Sequence, residues 1–310
     1  MTTMPTDLET VIRLILQRAC PGARVASVAP LHAGYTSKQW IAETDEGRLL
    51  VKVPQRNRDP EHLRRLMTSA RVAAEHGIPV VRFRQLVPHE PAVDGPVLIQ
   101  EFLEGDAASD VWDALNGDER LVLCRDLGDI VGRIHRIAGT EFGDVLGGGR
   151  AATLGESVEA ELDTLLEQAD PGEIPDRDAI RAAVTVGLSR LDRAASVPAL
   201  THGDLWLPNF LVRDRRISCA LDFEHARYAD RFRDFGKLDE HIFDAFPAGR
   251  AVFLESYAAA CPLPRDWEQR VDLAHVLHAL TMHAYFLRWQ PQWAPQYAQQ
   301  AQEWLAKHAR

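Results

Sequence analysis

The stretch Thr201-His-Gly-Asp-Leu-Trp-Leu-Pro-Asn-Phe210 constrains this chain more than any other. It sets an acid, Asp204, and an amide, Asn209, in one loop that runs into apolar residues. A short β segment follows between Phe210 and Asp222, turned by Asp214-Arg-Arg216, and it ends on a second acid in Asp222-Phe-Glu224. The residue types suit one chemistry. Phosphoryl transfer needs a carboxylate to orient and deprotonate an acceptor hydroxyl, and oxygen ligands that hold Mg2+ against phosphates. Mg2+ takes a few hard protein oxygens and leaves its other positions to phosphate and water. One Asp and one Asn on a loop, with another Asp on an adjacent hairpin, supply that set. A lone His-Gly-Asp would say little, since aspartate also caps turns. The register of the whole stretch carries the reading.

Around this motif the chain changes character once. Thr6-Asp-Leu-Glu9 has the form of a capping box opening a helix over about 7–18. Strand patterns follow over 24–31, 39–44 and 48–53, the last two around Asp45-Glu-Gly47. Asp59-Pro60 reads as N-cap and first helical position of a helix stopped by Gly77. Two more strands are predicted near 82–88 and 96–103. Beyond Gly105 helical periodicity dominates, over about 107–115, 119–138, 155–168, 175–193, 231–245, 248–260, 266–288 and 294–308. The expected fold is α+β and bilobal: a β-rich lobe over 1–103, then a mainly helical lobe over 104–310, joined near 101–106.

The 201–210 segment with Asp222 resembles the Brenner-type motif of the aminoglycoside phosphotransferase family, whose members share the bilobal fold of protein kinases. The resemblance runs from about Leu31 to Trp289, with motif identity concentrated in 201–235. It implies that Asp204 is the catalytic base and that Asn209 and Asp222 bind Mg2+. It implies too that Asp234 is a buried brace of the catalytic loop and that His202 is architectural. Lys52, in Leu50-Val-Lys-Val53, resembles the strand lysine that holds the α- and β-phosphates. Ala33-Gly-Tyr-Thr-Ser37 stands at the phosphate-loop position, so Thr36 and Ser37 are candidate phosphate contacts. By the same analogy the Glu101 carbonyl and Leu103 amide would bond a purine. There is no G-x-x-x-x-G-K-[ST], which removes P-loop chemistry.

One departure stands out. The strand lysine normally pairs with a glutamate in the middle of the next helix, and that middle here reads Leu66-Met-Thr-Ser-Ala70. Either Glu61, in the first turn, takes the role, or the ion pair is absent; Glu75 lies near the far end. The expected activity is transfer from ATP or GTP to a hydroxyl of a small molecule, an antibiotic foremost. Rival readings are a fructosamine-kinase-like enzyme, suggested by His-Gly-Asp-Leu-Trp206, a choline-kinase-like enzyme, or a nucleotide-binding pseudokinase. The lack of Ala-Pro-Glu, and of a glycine after Asp222-Phe, argues against a protein kinase.

The acceptor is expected against the helices after Phe235. There Asp239, Glu240, Asp244, Glu268 and Asp272 would serve a polycation if they are free. His135 reads as a packing residue. His275, His278 and His283 share a helix without an H-E-x-x-H arrangement, so zinc is not expected. A formal net charge of −10 disfavours nucleic acid and anionic membranes as partners. Four scattered cysteines, no secretory leader and no long apolar run predict a cytoplasmic protein, monomeric or dimeric.

Overall fold

The computed structural model describes residues 8–32 and 37–308. Thr6 of the expected capping box and the candidate phosphate contact Thr36 lie outside these residues. In chain order the structure begins with α1 (Leu8–Ala19), β1 (Val25–Leu31), β2 (Ser37–Thr44) and β3 (Gly47–Pro54). Next come α2 (Pro60–Glu75), β4 (Phe83–Glu90), β5 (Gly95–Glu101) and the two-residue β6 (Asp106–Ala107). Among the described residues, β1 to β5 form one antiparallel sheet ordered β1-β2-β3-β5-β4. α1 buries Val11, Ile12, Ile15 and Leu16, one helical stripe, against Val28, Trp40, Val51 and Ile99 of that sheet. α2 starts as predicted: Asp59 accepts the Glu61 amide at 3.0 Å and Pro60 takes the first position. It stops ahead of Gly77, whose φ of 73° few other residues adopt.

The helical part runs through α3 (Ala108–Trp112), α4 (Gly117–His135), β7 (Gly143–Asp144), α5 (Leu154–Gln168), α6 (Arg177–Ser189) and β8 (Ala199–Thr201). The hairpin β9 (Phe210–Arg213) and β10 (Arg216–Ala220) follows, then β11 (Arg227–Ala229) and α7 (Phe235–Leu238). α8 (Pro247–Ala260), α9 (Trp267–Trp289) and α10 (Ala294–His308) complete it. α5, α6, α9 and α10 share a core that includes Leu162, Val184, Leu277, Leu280 and Trp304. α4 lies tight against α8. A Cβ on Gly128 would stand 2.4 Å from the Phe253 carbonyl oxygen, so only glycine permits this approach.

The chain divides into two compact units, Met1–Ala108 with Phe210–Glu224, and Ser109–Asn209 with His225–Arg310. The sequence reading put the 210–222 hairpin in the helical lobe. Pairing puts it in the first unit: β9 bonds β6, and the Ala220 amide donates to the Pro79 carbonyl at 2.8 Å. Its two-residue turn, Asp214-Arg215, holds both residues at positive φ, the type I′ geometry that matches strand twist. Another expectation changes at 231–245. The single predicted helix is a 3₁₀ turn (Arg231–Asp234), then α7, then a π turn (Asp239–Phe243). The strands β6, β7, β8 and β11, two or three residues each, are too short for alternation to register in sequence. Among the described residues no helix is long and apolar enough to cross a membrane.

Candidate active site

The second unit carries the loop 202–209, and its shape is set by a buried acid on another element. Asp234 accepts the His202 amide and the Gly203 amide, each at 2.8 Å, one on each carboxylate oxygen. Gly203 has φ of 79°, and a Cβ there would lie 2.5 Å from the His225 carbonyl oxygen, so the turn requires glycine. Asp234 is fixed in its turn by Asp230, which caps the Phe232 amide at 2.9 Å and is itself held by buried Arg270 at 2.6 Å. The predicted brace is therefore present, and His202, fully buried, is architectural as expected.

His135 does more than pack. Its Nε2–H donates to Asp234 at 3.0 Å, and its Nδ1 lies 3.0 Å from the Tyr257 hydroxyl oxygen. Burial opposes the Asp234 charge most, but His135, His202 and the loop amides outweigh it and hold the carboxyl below its ordinary value. We expect His135→Leu to cost about 1–3 kcal/mol, the scale for leaving buried polar groups short of a hydrogen-bond partner. A thermal melt checks this, and an unchanged melting temperature would mean that the His135 contacts do not stabilise the fold.

Downstream of the brace, Asp204 is 17% exposed at its side chain. Its Oδ2 accepts from Asn209 Nδ2 at 2.7 Å, and the same Nδ2 donates to the Asp204 carbonyl at 2.8 Å. Its Oδ1 is ion-paired with Lys237, a residue that the sequence reading passed over. Burial is the largest single influence and works against the charge. The Lys237 ammonium and its hydrogen bond, with His225 and His202, outweigh it and keep the carboxyl below its ordinary value. Asn209 is buried, and its Oδ1 accepts no hydrogen bond among the described residues. Lys237 gave no sequence signal, because one lysine on a short helix reads as a solvated face.

The first unit holds the other candidates. Lys52 sits on β3 between buried Val51 and Val53, half-buried itself, and no residue among those described pairs with its ammonium. Neither acid considered for it does so: Glu61 is exposed, and Glu75 bonds Arg71 one turn away. α2 instead contributes His62, whose Nε2 lies 2.8 Å from Glu224, two residues beyond Asp222. Asp222 has φ of 61°, a left-handed conformation that a non-glycine residue adopts at some cost and that is common at functional positions. After β5 the Phe102 amide donates to the Arg48 carbonyl, while the Leu103 amide has no partner among the described residues. Glu101 closes β5, its side chain 3.0 Å from Arg84. Ser37 begins β2, opposite Pro54.

Of the acids after Phe235, Asp244 and Glu268 are exposed, but Asp239, Glu240 and Asp272 are engaged by other side chains. Asp239 is buried and bound by Arg250 at 2.7 Å and His275 at 2.9 Å. Glu240 takes His278 Nε2 at 2.6 Å and the Tyr297 hydroxyl at 2.6 Å. Asp272 is engaged by Trp304 and His308, each at 3.0 Å. The histidines of α9 are thus used against acids and, for His283, the Ala294 carbonyl. Facing Asp204 on this side is the Trp206 ring, with Lys237 Nζ 5.0 Å from its centroid and the His241 ring 5.6 Å away. Trp206 Nε1 and His241 Nε2 are buried without hydrogen-bond partners among the described residues. For a magnesium ion, the donor chemistry fits. In the second unit Asn209 has an amide oxygen that accepts no hydrogen bond among the described residues, and the first unit carries the acid Asp222; both are hard oxygen donors of the kind Mg2+ takes.

Against known proteins, a model of the phosphotransferase enzyme family matches residues 27–270. No curated protein matches the chain. Among solved structures, a protein assigned as an aminoglycoside phosphotransferase from Ralstonia eutropha has a TM-score of 0.69 at 15% identity, over 96% of this chain and 98% of its own. A protein assigned as a fructosamine-3-kinase from Haemophilus somnus has a TM-score of 0.68 at 17% identity, over 98% and 100%. A macrolide 2'-phosphotransferase from Brachybacterium faecium has a TM-score of 0.61 at 18% identity, over 97% of each chain. Aminoglycoside phosphotransferases solved with ADP and with GDP share the fold, at TM-scores of 0.63 and 0.64. These identities establish the fold, which is the kinase-like α+β arrangement expected from the sequence.

Proposed function

Because this chain belongs to the phosphotransferase enzyme family, we propose that it moves the γ-phosphoryl group of ATP or GTP to a hydroxyl of a small molecule, an antibiotic foremost, with Asp204 as base. The observation that carries this is the Asp204 carboxylate, kept ionised in a braced loop and held at both oxygens. Its remaining lone pairs receive the proton of the acceptor hydroxyl as the oxygen–phosphorus bond forms and the bond to the β-phosphate oxygen breaks. Asn209 and Asp222 would hold Mg2+, which offsets charge on the phosphates. Lys52, Ser37 and Thr36 are assigned to the phosphates, and the Glu101 carbonyl and Leu103 amide to the purine. The relatives holding ADP and GDP support a nucleotide donor of either kind.

The acceptor is proposed to carry no ammonium beside its reacting hydroxyl. Lys237 already stands at the base, and Asp239 and Glu240, which could have served a polycation, are occupied by hydrogen bonds with Arg250, His275, His278 and Tyr297. A hydroxylated antibiotic of low positive charge suits this better than an aminoglycoside. Trp206 and the fructosamine-3-kinase neighbour support a second reading, a glycated-amine kinase. The four cysteines are free, which favours a cytoplasmic setting.

Incubation with Mg-ATP or Mg-GTP and a panel of uncharged sugars, macrolides, aminoglycosides, fructosamines and choline is expected to give a phosphoryl mass gain on a compound of low or no positive charge. A gain confined to aminoglycosides would overturn the charge argument. Nucleotide binding with no transfer to any compound would favour the pseudokinase.

A further inference from the structure

The segment Asp234–Lys237 grips the catalytic loop twice. Asp234 holds its backbone amides, and three residues later Lys237 takes the carboxylate of Asp204. The Lys237 side chain is only 16% exposed and its ammonium sits over the Trp206 ring, so the charge has left much of its water. An ion pair removed from water is a poor source of stability, since desolvation offsets most of the attraction. The position of Lys237 is also fixed from behind. A Cβ on the preceding Gly236 would meet the His278 Cβ at 2.7 Å, so α7 lies directly on α9. Lys237 and Asn209 reach Asp204 from different elements, one on each carboxylate oxygen. Turning the carboxylate about its axis would break one contact or the other.

We propose that Lys237 is a positioning residue for phosphoryl transfer, fixing the orientation in which the Asp204 carboxylate meets the acceptor hydroxyl. This rests on the reading of Asp204 as the base. The loop motif has no cation of its own, and α7 supplies one from 33 residues away in sequence.

Hydrolysis of Mg-ATP tests it without knowledge of the natural acceptor. Water attacks the γ-phosphorus, the bond to the β-phosphate oxygen breaks, ADP leaves, and the water proton passes through Asp204 to solvent. Lys237→Met is expected to lower kcat by about 10- to 100-fold, the scale of a small misplacement of a reacting group. The KM for ATP and the calorimetric affinity for ADP should stay within about twofold, because only the orientation of the base is lost. Lys237→Arg, which keeps the charge, should recover most of kcat. A Lys237→Met protein with wild-type kcat overturns the proposal. So does loss of ADP affinity in both variants together, which would make Lys237 a fold residue only. A crystal structure of Lys237→Met with Asp204 in its original orientation counts equally against it. If the wild-type protein binds no ADP, the kinase reading falls and takes this with it. If the wild type hydrolyses ATP and Lys237→Met does so equally well, the Lys237 assignment alone falls.

Discussion

Asp204→Asn is expected to reduce kcat by at least ~10²-fold, the lower range for removal of a positioned general base, with ADP affinity nearly unchanged. The substitution keeps the shape of the side chain but turns one acceptor oxygen into a donor. One of its two neighbours, the Lys237 ammonium or Asn209 Nδ2, then faces a donor instead of an acceptor. The variant therefore loses both the proton acceptor and half of the arrangement that orients it. The braced amides of His202 and Gly203 do not involve the Asp204 side chain, so the loop itself should hold. Steady-state kinetics on the purified protein, with ADP titration as control, gives the answer. Near-normal turnover in a folded Asp204→Asn protein would remove Asp204 from the chemistry.

Asp222→Ala is expected to have the larger effect, a loss of Mg-dependent turnover of at least ~10³-fold, since the cation contributes several kcal/mol to charge stabilisation. Alanine is also a poorer occupant than aspartate of the left-handed backbone at 222, where φ is 61°. Asp222→Asn separates the two influences, keeping the tolerance for that conformation while removing the charge. If the carboxylate is what matters, both variants lose turnover and both need more Mg2+ to reach their residual rate. A normal Mg2+ dependence in Asp222→Asn would mean that another residue holds the cation.

Much of this molecule is legible along the chain because its signals are local. The α2 start is written in Asp59-Pro60 and its stop in Gly77. The sheet strands of the first unit run over seven or eight residues, long enough to be read between their turn signals. Asp204 and Asn209 are five residues apart, and the hydrogen bonds between them close within one loop, so the motif itself specifies that half of the site. What failed locally was short or mixed. The stretch 231–245 reads as one helix, but its first turn, capped by Asp230, is 3₁₀, and the turn over Asp239–Phe243 is π.

The sequence by itself determined the α+β order of the chain, the loop that carries Asp204 and Asn209, and the family. Tertiary structure alone decided the partners of those residues. His135 reaches Asp234 across 99 positions, His62 reaches Glu224 across 162, and Lys237 reaches Asp204 across 33. It also decided that Asp239 and Glu240, which look like an open acidic face in sequence, are closed by Arg250, His275, His278 and Tyr297. The reason is physical. Helices and turns are made by neighbours in the chain and leave periodic or capping signatures, whereas a charge pair between distant elements is set by how those elements pack. Until packing brings Lys237 to Asp204, nothing in its residue type or spacing distinguishes it from a lysine in water.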